Sequence, residues 1–162
     1  SAIPSPNASQ AQKKLLRWKK TAAERNALEP FVLDERLARD SESIMQLGLC
    51  DLRLSHDSRW PWLILVPQRR NVSEIFDLAP LDQAVLTFEQ VTVAAALKTV
   101  TGATKINIAA IGNIVRQLHV HVVARSENDP NWPGPIWGFG QSVPYEEKAF
   151  EAMKHRILEA FQ

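Results

Sequence analysis

The sequence predicts an α+β domain in which helices cover one side of an antiparallel sheet. Apolar or alternating runs of strand length come in pairs, and the residues between the two runs of a pair are too few for a crossover helix. A longer segment with apolar residues at three- and four-residue spacing follows each pair, which is typical of an amphipathic helix. The predicted order is therefore strand, strand, helix, strand, strand, helix.

The first pair of strands lies in the apolar region that ends at Pro67. Ile44–Leu54 is predicted as one strand, because polar and apolar side chains alternate in its second half. His56–Arg59 supplies a turn, since Asp and Ser side chains satisfy local backbone groups. Trp60–Pro67 is an apolar run of strand length that contains and ends in proline, which favours a buried central strand.

Two segments are predicted as helices. Leu81–Thr99 is the clearest, and Gly102 provides a stop signal after it. Tyr145–Phe161 is a second amphipathic helix. The predicted apolar faces are Leu81, Val85, Phe88, Thr92, Ala95 and Ala96 in the first helix, and Phe150, Met153, Ile157 and Phe161 in the second.

The second pair of strands contains the histidine-rich part of the chain. Lys105–Ala109 is the third strand, and Gly112 with Asn113 marks a turn. The fourth strand follows and ends at Arg125. The next segment, Ser126–Gly140, is predicted as a loop from its Pro and Gly content.

Composition limits the classes of function. A chain of 162 residues suits one domain plus a tail, and a formal net charge of +1 gives no reason to expect nucleic-acid binding. No apolar run reaches about 18 residues, so no membrane span is expected. Cys50 is the only cysteine and lies in an apolar run, which excludes an internal disulfide and favours a small buried side chain. A soluble protein of a reducing compartment is the expectation.

The first 26 residues differ from the rest of the chain. Ser1–Gln12 is rich in Ser, Ala, Pro, Asn and Gln, and Lys13–Asn26 is basic and helix-forming. We expect residues 1–26 to be a tail that is partly disordered or forms a docking helix, and residues 27–162 to form the domain. The basic segment is either an amphipathic docking helix, an arm that grips a protein partner, or the remnant of an organelle-targeting segment. The compartment is accordingly either the cytoplasm or the mitochondrial matrix.

Three polar side chains recur at every second position before Arg125. Gln117, His119 and His121 share one face of the predicted strand, while the residues between them are apolar. An imidazole is a competent nucleophile at neutral pH, and a rigid strand can aim it at a phosphorus atom. Asn107 and Asn113, on the preceding strand and turn, are candidate donors to phosphate oxygens.

A metal site is the competing interpretation of the two histidines. Zinc normally needs a third protein ligand, which His56 or Asp57 could supply. No further cluster of His or Cys supports this alternative, so we predict no metal and no cofactor.

Tryptophans are unusually frequent, and four of them flank the candidate strands. Trp60 and Trp62 are predicted to pack at the core or at a strand end, with stacking on a nucleobase as the alternative. Trp132 and Trp137, in the loop after the histidines, are placed equally well to line a pocket or a dimer contact.

The segment Gln117–Val123, Gln-Leu-His-Val-His-Val-Val, resembles the signature of the histidine triad (HIT) superfamily, His-φ-His-φ-His-φ-φ, where φ is apolar. The segments Phe31–Leu37, Arg59–Pro67 and Asp129–Gly138 look like a bacterial-type subgroup that has Gln in place of the first His. The resemblance covers roughly residues 31–140. It implies an antiparallel sheet of about five strands, with a long helix packed on it and a C-terminal helix.

The resemblance also implies roles for individual residues. His119 matches the His that attacks the α-phosphate of a nucleotide and becomes transiently nucleotidylated. His121 matches the His that contacts the phosphate, and Gln117 stands where the first His helps to orient the nucleophile. Asn107 and Asn113 match or lie near polar residues that contact ribose, phosphate or leaving group.

A ribose-binding acid is a further part of the family pattern, and Asp51 or Asp57 is the candidate for it, with Asp57 preferred. Members usually form homodimers through the helix and a sheet edge. The chain departs from the pattern at Gln117, whose amide can hydrogen-bond but cannot titrate, and at Ile114, which stands where a Ser is usual.

The resemblance therefore implies a hydrolase or transferase that cleaves a nucleoside phosphate ester, anhydride or phosphoramidate, with reduced or unusual activity. The alternative is a catalytically weakened or inactive subunit that binds nucleotide or serves as a scaffold in a larger assembly.

Overall fold

The computed structural model describes Gln10, Gln12, Lys13 and residues 30–162. It divides the chain into two compact units, Ser1–Val32 and Leu33–Gln162. In the first unit, the three described residues before residue 30 are helical and exposed. The other residues of the predicted tail lie outside the described part of the chain.

The second unit is an α+β domain built on one five-stranded antiparallel sheet, as the sequence predicts. The strand order is β1-β2-β3-β5-β4, so that β5 lies between β3 and the edge strand β4. The elements in chain order are α1 (Glu35–Asp40), β1 (Ser41–Gln46), β2 (Cys50–Ser55), β3 (Trp62–Pro67), a 3₁₀ turn (Ile75–Asp77), α2 (Pro80–Thr101), β4 (Lys105–Ala109), β5 (Val120–Arg125) and α3 (Glu147–Glu159).

The prediction of a single strand over Ile44–Leu54 is wrong, because this segment folds into the hairpin of β1 and β2. The backbone N–H of Leu47 donates to the carbonyl of Cys50 at 2.8 Å, which closes the turn around Gly48. A buried carboxylate from α2 then accepts the next two N–H groups: Glu89 Oε1 lies 2.7 Å from Leu49 N, and Oε2 lies 3.0 Å from Cys50 N. The turn therefore depends on a residue about forty positions away.

Helix α2 packs against one face of the sheet, and Gly102 ends it in the left-handed conformation (φ 64°), as predicted. The predicted buried stripe of this helix is wrong, because Leu81 and Phe88 are 75% and 71% exposed. Residues at helical spacing form two different sets along α2, the predicted one and another that includes the charged Glu89. The second set faces the sheet. The buried residues are Leu86, Glu89, Val93 and Leu97.

The sheet face under α2 is apolar. Strand side chains alternate between faces, so every second residue of β2, β3 and β5 points into this core. Helix α3 adds Phe150 and Ile157, two of the apolar residues predicted for it, and Cys50 is fully buried here as predicted. The strand residues in the core are Cys50, Leu52, Leu54, Leu63, Leu65, Val120, Val122 and Ala124.

Candidate functional site

The remaining positions of the same strands face away from α2 and carry the two histidines. His121 on β5 lies between Ile64 of β3 and Ala109 of β4, which are its Cα partners. His119 immediately precedes β5, which begins at Val120 and is shorter than the predicted strand. Both histidines are less than 10% exposed.

Main-chain geometry fixes the ring of His119. Its Nδ1 lies 2.7 Å from the carbonyl oxygen of Gln117. A carbonyl only accepts hydrogen bonds, so Nδ1 carries the proton and the lone pair of the neutral ring is on Nε2. Nε2 forms no hydrogen bond with the described residues. This is the arrangement that a nucleophilic imidazole needs.

The ring of His121 is in contact with that of His119. The two centroids are 4.8 Å apart, and the rings meet edge to face at 83°. Burial, together with the nearby His119, lowers the pKa of His121 to about 3. His121 is consequently a neutral imidazole at physiological pH.

Two tryptophans enclose His121. The indole Nε1 of Trp62 donates to His121 Nδ1 at 3.0 Å. The ring of Trp137 lies 5.0 Å from the ring of His121, centroid to centroid. Trp62 was predicted to pack at the core or at a strand end, and Trp137 to line either a pocket or a dimer contact. The structure places both beside a candidate catalytic histidine.

The side chain and the main-chain carbonyl of Gln117 contact different parts of the domain. Its Oε1 accepts the backbone N–H of Asp34 at 2.9 Å, at the N-cap of α1. Arg36 pairs with the Asp34 carboxylate at 2.9 Å and also donates to the carbonyl of Ile114 at 3.2 Å. The Arg36 guanidinium holds the pKa of Asp34 well below its ordinary value, at about 2. The amide oxygen therefore fastens α1 to the histidine segment, while the main-chain carbonyl orients His119.

The two asparagines differ in their surroundings. Asn107 on β4 is on the histidine side of the sheet, where its Oδ1 accepts a long hydrogen bond of 3.4 Å from Arg125. Asn107 is paired with Val123, which is two residues after His121 on β5. Asn113 is exposed in the bend between β4 and β5 and forms no hydrogen bond with the described residues.

Asp57 lies on the wall of a cleft of about 330 Å³ that also includes Trp62 and Trp137. The carboxylate is buried, pairs with Arg59 at 2.8 Å and accepts the backbone N–H of Val143 at 3.4 Å. Although burial opposes ionisation, these bonds outweigh it and lower the pKa of Asp57. Because both tryptophans also contact His121, the cleft adjoins the histidines.

A much smaller space, of about 20 Å³, is lined in part by His119. Its walls include Gly112, Gln117 and Ser73. Gly112 has a positive φ of 66°, which turns the chain sharply at this point. A space of this size holds about one water molecule.

The described residues include no group of three or more His, Cys, Asp or Glu side chains arranged to hold a metal ion. No helix in this part of the chain is both long enough and apolar enough to cross a membrane.

Comparison with known proteins identifies the family. The family model of the HIT domain matches residues 36–128. A histidine triad protein from Sinorhizobium meliloti is 63% identical, with a TM-score of 0.79, over 80% of this chain and 96% of that chain. A histidine triad protein from Marinobacter aquaeolei is 39% identical, with a TM-score of 0.80, over 82% of this chain and 96% of that chain.

A third solved structure, of a histidine triad protein from Bradyrhizobium japonicum, is 37% identical, with a TM-score of 0.81, over 83% of this chain and 100% of that chain. The comparison with curated proteins gives no match. The matched domain contains the Gln-φ-His-φ-His segment and the five strands that position it. The chain therefore belongs to the histidine triad (HIT) family.

Proposed function

We propose that this protein is a nucleotide hydrolase or transferase that cleaves at the α-phosphate of a nucleoside phosphate ester, anhydride or phosphoramidate. The observation that carries the proposal is the orientation of His119. Its Nδ1 is held by the Gln117 carbonyl at 2.7 Å, so the nucleophilic lone pair is on Nε2. Membership of the HIT family makes a nucleotide the expected substrate class.

The reaction would proceed in two displacements. Nε2 of His119 attacks the α-phosphorus, an N–P bond forms, and the bond to the leaving group breaks. The leaving group departs with the bonding electron pair and takes up a proton from solvent. Water then attacks the same phosphorus and loses a proton to solvent. The N–P bond breaks with its electron pair returning to Nε2, and the nucleoside monophosphate leaves. In a transferase, another acceptor takes the place of water.

The ring of His119 carries a positive charge while the nucleotide is attached, because Nδ1 keeps its proton. The Gln117 carbonyl accepts that proton's hydrogen bond throughout, and so stabilises the charged intermediate. We further propose that His121, Asn107 and Asn113 contact the phosphate or the leaving group. Asp57, in the adjoining cleft, is the proposed contact for the ribose hydroxyls.

The test is a burst experiment with an adenosine phosphoramidate that follows both AMP release and covalent nucleotide on the protein. For His119→Ala we expect no label and a loss of about 10⁴-fold in turnover, the scale seen when a residue of a Ser-His-Asp catalytic triad is replaced. Gln117→Ala keeps the carbonyl, so we expect it to retain turnover within roughly tenfold, the effect of one hydrogen bond. His155→Ala is the control, because this histidine is exposed on α3.

Equal labelling of wild type and His119→Ala would contradict the proposed nucleophile. Nucleotide binding without label or turnover in the wild type would favour the alternative of a binding module. Absence of binding as well would favour a scaffold subunit, for which the basic arm within residues 1–26 is the proposed protein contact.

We also propose that two copies of the chain associate through α2 and the edge strand β4. Leu81, Phe88 and Val91 form an exposed apolar stripe on α2, and Ile108 on β4 is 44% exposed. Exposed apolar stripes of this kind mark interaction surfaces. Light scattering coupled to size exclusion should give a dimer for the wild type and a monomer for Phe88→Glu. A monomeric wild type would contradict the proposal.

A further inference from the structure

The side chain of Trp62 on β3 contacts that of His121 on the neighbouring strand β5. Trp62 opens β3 and is paired with Val123, whereas His121 is paired with Ile64. The two side chains are therefore diagonal neighbours on the same face, a separation that aromatic side chains can span. The centroids of the two rings are 5.4 Å apart, and the indole N–H points at the Nδ1 atom.

The chemistry of the two rings determines where the proton of His121 resides. An indole N–H is a donor and never an acceptor. Nδ1 of His121 must therefore accept, which leaves the proton of the neutral ring on Nε2. A doubly protonated ring would place two donors against each other and break the contact.

Trp137 limits rotation of the same imidazole. Its ring is 5.0 Å from His121 and 6.2 Å from Trp62, so the imidazole has an aromatic neighbour on two sides. His119 occupies a third side at 4.8 Å. Burial is the main reason that His121 prefers the neutral form, and the nearby His119 adds to it.

We propose that Trp62 is a positioning residue, which holds His121 in the tautomer protonated on Nε2 and fixes the direction of that N–H. Its consequence for catalysis rests on the proposed function, in which the N–H of His121 donates to a phosphoryl oxygen while His119 attacks. A donor already aimed at developing charge needs no reorganisation during the reaction. Nothing in the linear pattern of the motif specifies this role.

The test compares Trp62→Phe with Trp137→Phe. The first variant keeps an aromatic ring and removes the indole donor, whereas the second removes an indole that makes no hydrogen bond to His121. Long-range ¹H–¹⁵N correlation spectra of labelled protein report the tautomer directly and require no turnover. We expect an unprotonated Nδ1 and a protonated Nε2 at His121 in the wild type and in Trp137→Phe, and a mixture of tautomers in Trp62→Phe.

The kinetic arm uses the rate of nucleotide labelling on His119. We expect Trp62→Phe to lower this rate roughly tenfold, the value of one hydrogen bond, and Trp137→Phe to change it less. If Trp62→Phe fails to fold, 3-benzothienylalanine at position 62 replaces it, since sulfur takes the place of the N–H in a ring of the same shape.

A protonated Nδ1 at His121 in the wild type would overturn the inference. So would an unchanged tautomer in the variant that lacks the donor. Failure of the proposed function gives a different result, because a protein without label or turnover still displays the tautomer in its spectrum. An altered tautomer with an unchanged labelling rate would overturn the catalytic part of the inference.

Discussion

The two faces of the central sheet are made by the same strands and differ in chemistry. The face under α2 is packed with Leu, Val and Ala side chains, and Glu89 is its buried charged group among the described residues. The other face, with the segments that adjoin its strands, buries Ile64, Val66 and Val123 and also eight polar or charged side chains. These are Ser41, Asp51, Arg53, Ser55, Asp57, His119, His121 and Arg125. Because side chains alternate along a strand, the apolar core under α2 and the two histidines lie on opposite faces.

The buried charges on the histidine face are neutralised locally. Arg53 pairs with Asp51 at 2.8 Å, and Arg125 pairs with Asp129 at 2.7 Å. Arg125 also donates to the Gly134 carbonyl at 2.8 Å, so its guanidinium secures the loop that contains Trp137. The arginines serve the architecture of this face, and the histidines remain uncommitted to ion pairs.

The largest expected effect comes from a cavity on the apolar face, and it tests whether the two faces of the sheet act separately. Leu52 is fully buried under α2, and Leu52→Ala should lower the free energy of unfolding by about 3 kcal/mol. Phe76→Ala, at a position that is 77% exposed and outside the proposed dimer surface, should change it by less than about 0.5 kcal/mol. Chemical denaturation measures both. A loss of nucleotide labelling by the folded fraction of Leu52→Ala would show that the two faces are not separate.

A smaller loss of stability is expected when the charge of Glu89 is removed from the apolar face. In Glu89→Gln one oxygen still accepts an N–H at the β1–β2 turn, while the new amide N–H₂ faces the other. We expect a loss of about 2 kcal/mol in the free energy of unfolding, the cost of one buried unsatisfied donor. Glu127→Gln, at an exposed loop position, is the matched control. Equal stability of the two variants would mean that the carboxylate does not hold the turn.

A third test concerns His121 and pH. An unfolded chain takes up a proton at this histidine near pH 6.5, whereas the folded chain does so only at about pH 3. Stability from this group is therefore complete above about pH 6.5 and falls as the pH drops towards 3, by at most about 1.4 kcal/mol per pH unit. Denaturation at several pH values should show a shallower acid dependence for His121→Gln than for the wild type. Parallel curves would contradict the lowered pKa.

The histidine face was largely predictable from local patterns. The period of two from Gln117 to His121 placed both imidazoles on one surface, and Gly102 marked the end of α2. The α+β class followed from the order of short and long apolar segments, and the structure confirms it.

The parts that local patterns missed depend on partners that are distant in the sequence. Glu89 was assigned to no buried stripe, because a carboxylate favours solvent unless it finds donors, and its donors are two N–H groups near residue 50. The contact of Trp62 with His121 depends on the register between β3 and β5, and the contact of Asp34 with Gln117 joins residues 83 positions apart. Neither leaves a periodic signal.

The position of β5 between β3 and β4 has a consequence for how this protein can change during evolution. One inserted or deleted residue between His121 and Arg125 would shift the register by one and exchange the two faces of the strand. The imidazole or the guanidinium would then enter the apolar core, and an adjacent residue of the chain would occupy its place. Point substitutions can retune the site, but a change in the length of β5 would remove the fold and the chemistry together.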